Sequence, residues 1–272
     1  MMPGAGFHSR AMGEDVPAHL SFRVARKVYS DGVTALSDVS FDVPRGQFCV
    51  ILGRSGSGKS TLLRTVNGLT ELSAGSVSLG GTALARDTLR GLRRKVAMVH
   101  QQFNLVERAS VSANVLSGAV AEVAAWRAML GWYPEPLRRR TCEVVARVGL
   151  DELHLNRRAS ALSGGQQQRV GIARAMLLHP EVVLADEPVA SLDPAISREV
   201  LTILAEAARE QNATVLCSLH QTDLAREFGD RIVGMRKGRV VFDGPPSEFD
   251  ARAEAALYEG LDEEGGESRM VA

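Results

Sequence analysis

Apolar and polar positions follow two different rhythms along this chain. In "LSFRVARKVY" (20–29) and "ALSDVSFDVPRG" (35–46) they alternate with period two, as in half-buried strands, and Pro44, Arg45 and Gly46 mark a turn. The runs "QFCVIL" (47–52), "VAMVH" (96–100), "EVVLAD" (181–186) and "ATVLCSLH" (213–220) are almost continuously apolar. Such runs suit strands covered on both faces. Helical spacing takes over in "STLLRTVNGL" (60–69) and "ISREVLTILAEAAREQN" (196–212), after the first and third of these strands. Strands alternating with helices predict an α/β fold with a mainly parallel sheet. Residues 103–180 are alanine-rich, long and helical in pattern, and read as a helical subdomain inserted between sheet strands. "RIVGMRKGRVVFDG" (231–244) predicts a closing hairpin that turns near Lys237 and Gly238. The ends, residues 1–18 and 251–272, read as tails, the second disordered chiefly at its acidic terminus.

Composition narrows the function classes. The 272 residues carry 32 Lys plus Arg and 32 Asp plus Glu, so the formal net charge is zero. That balance argues against nucleic acid as a partner, because no global positive field draws phosphates in. Cys49, Cys142 and Cys217 have no metal-like spacing and read as reduced core residues of a cytoplasmic protein. No apolar run is long enough to span a bilayer, so a membrane role requires partners.

The chemistry begins at Gly53. Gly53, Arg54, Ser55, Gly56, Ser57, Gly58, Lys59 and Ser60 spell a complete phosphate-binding loop between a buried strand and a helix. Its glycines let backbone N–H groups crowd around phosphates, and the helix that follows points its positive end at them. Lys59 is placed to reach the β- and γ-phosphates, Ser60 to ligate Mg²⁺, and Thr61 to add a hydroxyl contact. A nucleoside triphosphate and Mg²⁺ are therefore the expected ligands. Asp186, at the end of a buried strand, is the candidate metal carboxylate, and Glu187 beside it the candidate for polarising the attacking water. His220 ends another strand at the same sheet edge, where ligands of open α/β sheets bind. Gln101 follows "VAMVH" and is a candidate for touching Mg²⁺ or the water, with Gln102 its rival.

A second anion-binding element follows about a hundred residues later. In "LSGGQQQRV" (162–170), Ser163, Gly164 and Gly165 open a helix, and a hydroxyl, backbone N–H groups and the helix dipole converge there. A helix start in the inserted subdomain is poorly placed to close over its own phosphate loop. Two copies related by a two-fold axis would let each element close the other's site. "SLD" (191–193) then falls at the seam, with Asp193 as its carboxylate.

These motifs, in this order, resemble the ATPase subunits of ATP-binding-cassette (ABC) transporters over roughly residues 20–250. The resemblance implies a P-loop NTPase (RecA-like) core with a parallel sheet, an antiparallel β subdomain and the inserted helical subdomain. It gives an ABC-type domain over 19–250, with the helical part at about 103–180. It assigns Tyr29 to stack on adenine, and Ser163, Gly164, Gly165 and Gln166 to contact the partner copy's ATP. It also favours Gln101 over Gln102. "QQFNLVERASVSANVLSGA", "LADEPVASLDP", "LHQTDLA" and "AAWRAMLGWYPEP" are similar to the phosphonate-import branch, although His100 and Thr222 depart from its usual phenylalanine and valine. The implied protein is a homodimeric motor at the cytoplasmic face of the bacterial inner membrane. It would drive two membrane-spanning permease subunits and serve a substrate-binding protein indirectly. The same motor carrying phosphate, phosphite or another small oxyanion stays open as an alternative. A non-transport ABC ATPase of DNA repair or ribosome control is a weaker one, since the chain has one cassette and no sustained heptads.

Overall fold

The computed structural model describes residues 18–258 of the chain. Ten strands and nine helices are assigned among them. The strands are β1 (Ala18–Val28), β2 (Thr34–Pro44), β3 (Phe48–Leu52), β4 (Ala74–Leu79), β5 (Thr82–Ala83), β6 (Val96–Val99), β7 (Val182–Asp186), β8 (Thr214–Leu219), β9 (Arg231–Arg236) and β10 (Arg239–Gly244). The helices are α1 (Lys59–Val66), α2 (Leu89–Arg93), α3 (Val111–Leu116), α4 (Ala125–Met129), α5 (Glu135–Arg147), α6 (Gly164–Met176), α7 (Pro194–Glu210), α8 (Thr222–Phe228) and α9 (Ala251–Tyr258). None of them is long and apolar enough to cross a membrane.

The larger sheet has the order β10-β9-β3-β8-β7-β6, with only the β9–β10 pair antiparallel. All five residues of β3 and all five of β7 are buried, which explains why these segments read as unbroken apolar runs. Alternate residues serve opposite faces. Phe48, Val50 and Leu52 join the core beneath α6, α7 and the helical insertion, whereas Cys49 and Ile51 join the core beneath α1 and the second sheet. That second sheet is antiparallel, in the order β2-β1-β4-β5. The alternation of residues 20–46 foretold β1 and β2, but β4 and β5 escaped it. Their short "AGSVSL" and "TA" stretches are half exposed and carry little periodic signal.

Residues 103–180 form α3 to α6 and three short 3-10 turns. The hairpin at 231–244 turns through Lys237 and Gly238, both at positive φ. The tail expected from residue 251 gives way to α9 over its first eight residues, because Leu257 is 1% exposed and packs into the core. At the other end, Ala18 already belongs to β1. The remainder of both expected tails, 1–17 and 259–272, lies outside the described residues. Cys49 and Cys217 are core residues as expected, and burial pushes the Cys49 thiol up to about 12. Cys142 is exposed on α5, contrary to the core placement expected for it.

Candidate nucleotide site

Parallel register decides which residues meet. Leu52 of β3 lies opposite Leu219 of β8, and Asp186 of β7 lies opposite Ser218. The residues that follow these strands, Gly53, Glu187 and His220, therefore emerge at one sheet edge. Gln101 reaches the same edge after β6, which pairs with β7 through Val99 and Ala185.

The loop from Gly53 to α1 is shaped by glycine. Gly56 and Gly58 have φ of +79° and +105°, conformations open to glycine. A Cβ on Gly58 would lie 2.4 Å from the Ala35 carbonyl oxygen, and one on Gly53 would lie 2.4 Å from that of Met235. The N-cap of α1 is Gly58 itself, and no side chain caps the helix. Its first-turn N–H groups therefore face the loop, a favourable seat for an anion. Arg54, Ser55 and Gly56 are exposed along the loop, while Ser57 is buried and its Oγ has no hydrogen-bond partner.

Lys59 is 4% exposed. Its ammonium donates to the carbonyls of Gly53 at 2.7 Å and Arg54 at 3.0 Å, and lies 3.3 Å from Glu187 Oε1. The charge in contact with Glu187 is thus the loop's own lysine. The Ser60 hydroxyl donates to Asp186 Oδ1 at 2.9 Å. A hydroxyl and a carboxylate oxygen are the hard donors that Mg²⁺ prefers, and their spacing matches adjacent corners of an octahedron with bonds of about 2.1 Å. No cluster of three or more metal-binding side chains exists among the described residues, so substrate oxygens and water would have to complete the shell.

Ser218 was not singled out in the sequence. Its hydroxyl donates to Asp186 Oδ1 at 2.9 Å and accepts the Glu187 N–H at 2.9 Å. Ser218 so fixes the Asp186 carboxylate and the backbone of Glu187 together, and Glu187 holds φ of +45°. Inside an apolar strand, a serine two residues before the strand-end histidine was the available signal. His220 is exposed, and its carbonyl accepts from the Tyr258 hydroxyl at 3.3 Å, so α9 braces this strand end. Tyr29 is 38% exposed, and its hydroxyl pairs with that of Thr61 at 3.2 Å beside the loop. Gln101 and Gln102 are both exposed.

The 162–166 element is built differently. Ser163 caps α6 by accepting the Gln166 N–H at 3.3 Å, and Gln166 returns the bond to the Ser163 N–H at 3.0 Å. A Cβ on Gly165 would lie 2.6 Å from Ile196 Cγ2, so its glycine also permits close packing on α7. Asp193 caps α7 through the Ala195 and Ile196 N–H groups at 3.1 and 3.0 Å. Among the described residues, no hydrogen bond or ion pair joins 162–166 to the phosphate loop.

One contact chain links the edge to α6. Arg174 donates to the carbonyls of Asn104 at 2.6 Å and Phe103 at 3.0 Å, and Gln168 donates to that of His100 at 3.5 Å. The segment carrying Gln101 thus lies along the helix that Ser163 opens. His100 is pushed below the usual histidine range, first by burial and then by the charge of Arg174.

Known proteins are similar to this chain over most of its length. A family described as "ABC transporter" matches residues 36–190. The phosphonates import ATP-binding protein PhnC of Hydrogenovibrio crunogenus is 52% identical over 240 residues, 88% of either chain. Its counterpart from Hyphomonas neptunium is 54% identical over 222 residues, 82% of this chain and 85% of its own. Among solved structures, cbiO1 of Clostridium perfringens, part of the ABC transporter complex cbiONQ, has a TM-score of 0.77 at 30% identity. That similarity covers 91% of this chain and 96% of cbiO1. A dimeric ATP-binding cassette in a post-hydrolysis state with ADP and Pi, MJ0796, has a TM-score of 0.70 at 32% identity, covering 84% and 98%. The family match over residues 36–190 and these relatives, similar over most of their length, show that this chain belongs to the ABC transporter family as an ATP-binding subunit.

Proposed function

We propose that this chain is the ATP-hydrolysing motor of a phosphonate importer. The observation that carries the cargo is identity above 50% to phosphonates import ATP-binding proteins over more than four fifths of both chains. The cargo never touches this subunit, so the site's own chemistry bears on the motor alone.

In the proposed cycle, Tyr29 receives adenine, and the loop N–H groups with the start of α1 receive the phosphates. Lys59 exchanges the Gly53 and Arg54 carbonyls and Glu187 for the β- and γ-phosphates, which releases Glu187 toward the attacking water. Ser60 and Asp186 would hold Mg²⁺, which would supply positive charge against that developing on the phosphates. Glu187 accepts the water's proton, and His220 and Gln101 orient the γ-phosphate and the water. Ser163, Gly164, Gly165 and Gln166 of a second copy close the γ-phosphate from the other side, with Asp193 near the seam. Closure of the dimer moves the helical subdomains and, through the 100–104 segment, two membrane-spanning subunits. The place of work is the cytoplasmic face of the membrane.

The test is growth of a deletion strain on one phosphorus source at a time: an alkylphosphonate, phosphite or phosphate. Growth should fail on the phosphonate alone and return with the intact gene but not with Lys59→Ala. Normal growth on phosphonate would refute the cargo.

A further inference from the structure

The helical subdomain ends in a projecting apolar tip that the nucleotide site does not use. None of the five residues of α4 is buried. Trp126 is 51% exposed, Met129 87%, Leu130 74% and Trp132 61%. The tip nevertheless carries its own internal contacts. The Leu130 N–H donates to the Trp126 carbonyl at 3.2 Å, and the Trp132 N–H to the Arg127 carbonyl at 2.8 Å. The two indoles meet edge to face at 5.8 Å, and the Arg127 guanidinium lies 5.2 and 5.4 Å from their centres. Arg127 has no carboxylate partner among the described residues.

We propose that this tip seats the subunit on an anionic phospholipid surface. Indoles prefer the headgroup layer, where an apolar ring and a polar N–H are both satisfied, and an arginine beside them meets lipid phosphates. Shape favours lipid over a partner helix. A partner helix needs a concave seat, whereas these four side chains are 51–87% exposed and none of them lines the arginine-rich cavity against the neighbouring 3-10 segment. Charge agrees. The 3-10 segment Ser117–Glu122, on which α4 packs, forms one wall of a cavity lined by Arg86, Arg90, Arg93, Arg94 and Arg174; Arg86 pairs with Glu71 at 3.3 Å and Arg94 with Glu122 at 3.6 Å, which still leaves a basic excess. Basic side chains beside an exposed apolar tip add attraction to an anionic leaflet. The inference does not depend on the cargo or on the permease subunits.

Trp126 and Trp132 are the only tryptophans of the chain, so its indole fluorescence reports this tip. The full chain is titrated with vesicles of phosphatidylglycerol and phosphatidylcholine, and separately with phosphatidylcholine alone. Emission should shift to shorter wavelength with the anionic vesicles, and the shift should weaken as salt is raised. Arg127→Glu should lower partitioning about tenfold or more, and Met129→Ser with Leu130→Ser should lower it with both reporters intact. ATP hydrolysis in solution should be unchanged by either variant. No shift with anionic vesicles, or an equal shift with both compositions, overturns the proposal. So does a shift that requires purified membrane subunits, which would assign the tip to a protein interface.

Discussion

Glu187 and Ser218 carry the sharpest expectations at the level of single side chains. Glu187→Gln keeps the size of the side chain and its reach toward Lys59 but removes the proposed base. Steady-state hydrolysis should fall by about 100-fold or more, with ATP binding retained when measured by filter binding or fluorescence. Hydrolysis near the wild-type rate would assign the proton to another group. Ser218→Ala takes away one of the two hydroxyls on Asp186 Oδ1 and leaves the Glu187 N–H without its acceptor. A buried donor left unpaired costs about 1–3 kcal/mol. The variant should unfold at a lower temperature and need more Mg²⁺ for half-maximal hydrolysis. An unchanged Mg²⁺ requirement would confine Ser218 to stability. His100 supplies a pH prediction. Its folded pKa lies below the ordinary value of 6.5, so below pH 6.5 the unfolded chain takes up a proton that the folded chain resists. Stability is then lost as pH falls, with a slope of at most about 1.4 kcal/mol per pH unit from this group. His100→Phe should flatten the decline of Tm between pH 7 and pH 5, as read by calorimetry. His19, lowered chiefly by burial, should keep part of the decline in place.

Individual elements differ in how much of their role a single chain can display. The phosphate loop is wholly local: eight consecutive residues, a buried strand before and a helix after, and backbone angles that require its glycines. Gly58→Ala tests that locality. The substitution puts a Cβ 2.4 Å from the Ala35 carbonyl at φ +105°, a conflict worth about 1–3 kcal/mol. Tm should drop by several degrees and ATP binding should be lost. Retained binding would show that the loop tolerates a different backbone. The strands β3, β6, β7 and β8 were equally legible, because burial on both faces writes itself as an apolar run. Short exposed strands such as β4 and β5 leave no such trace. Ser218 and Arg174 were missed for another reason. Each acts through a backbone or side chain distant in sequence, and a lone serine in a strand or arginine in a helix has no spacing to announce it. Residues 162–166 are the converse case. Their sequence proclaims an anion site, while in one copy of the chain Ser163 and Gln166 satisfy each other as a capping box and Gly165 packs on Ile196.

That mismatch between what 162–166 offers and what it touches is a property of the whole molecule. If the element served its own phosphate loop, some bond between the two would be expected within a single copy, and none exists among the described residues. If it serves a second copy, two damaged chains can repair one another. Lys59→Ala disables the loop and leaves the capped glycine pair sound. Ser163→Arg disables the pair and leaves the loop sound. In a mixed dimer, one composite site carries both lesions, and the other combines an intact loop with an intact pair. Both chains also carry Glu187→Gln, so that bound ATP is held rather than hydrolysed. Random pairing makes half the dimers mixed with one sound site each, so the mixture should trap about one quarter of the ATP held by the unmutated pair. Neither variant alone should trap ATP. The readout is nucleotide retained with the dimer on size exclusion, which does not require the two sites to fire together. If trapping by the mixture stays at the level of the separate variants, each pair acts on its own loop, and the two-fold arrangement proposed for this motor fails.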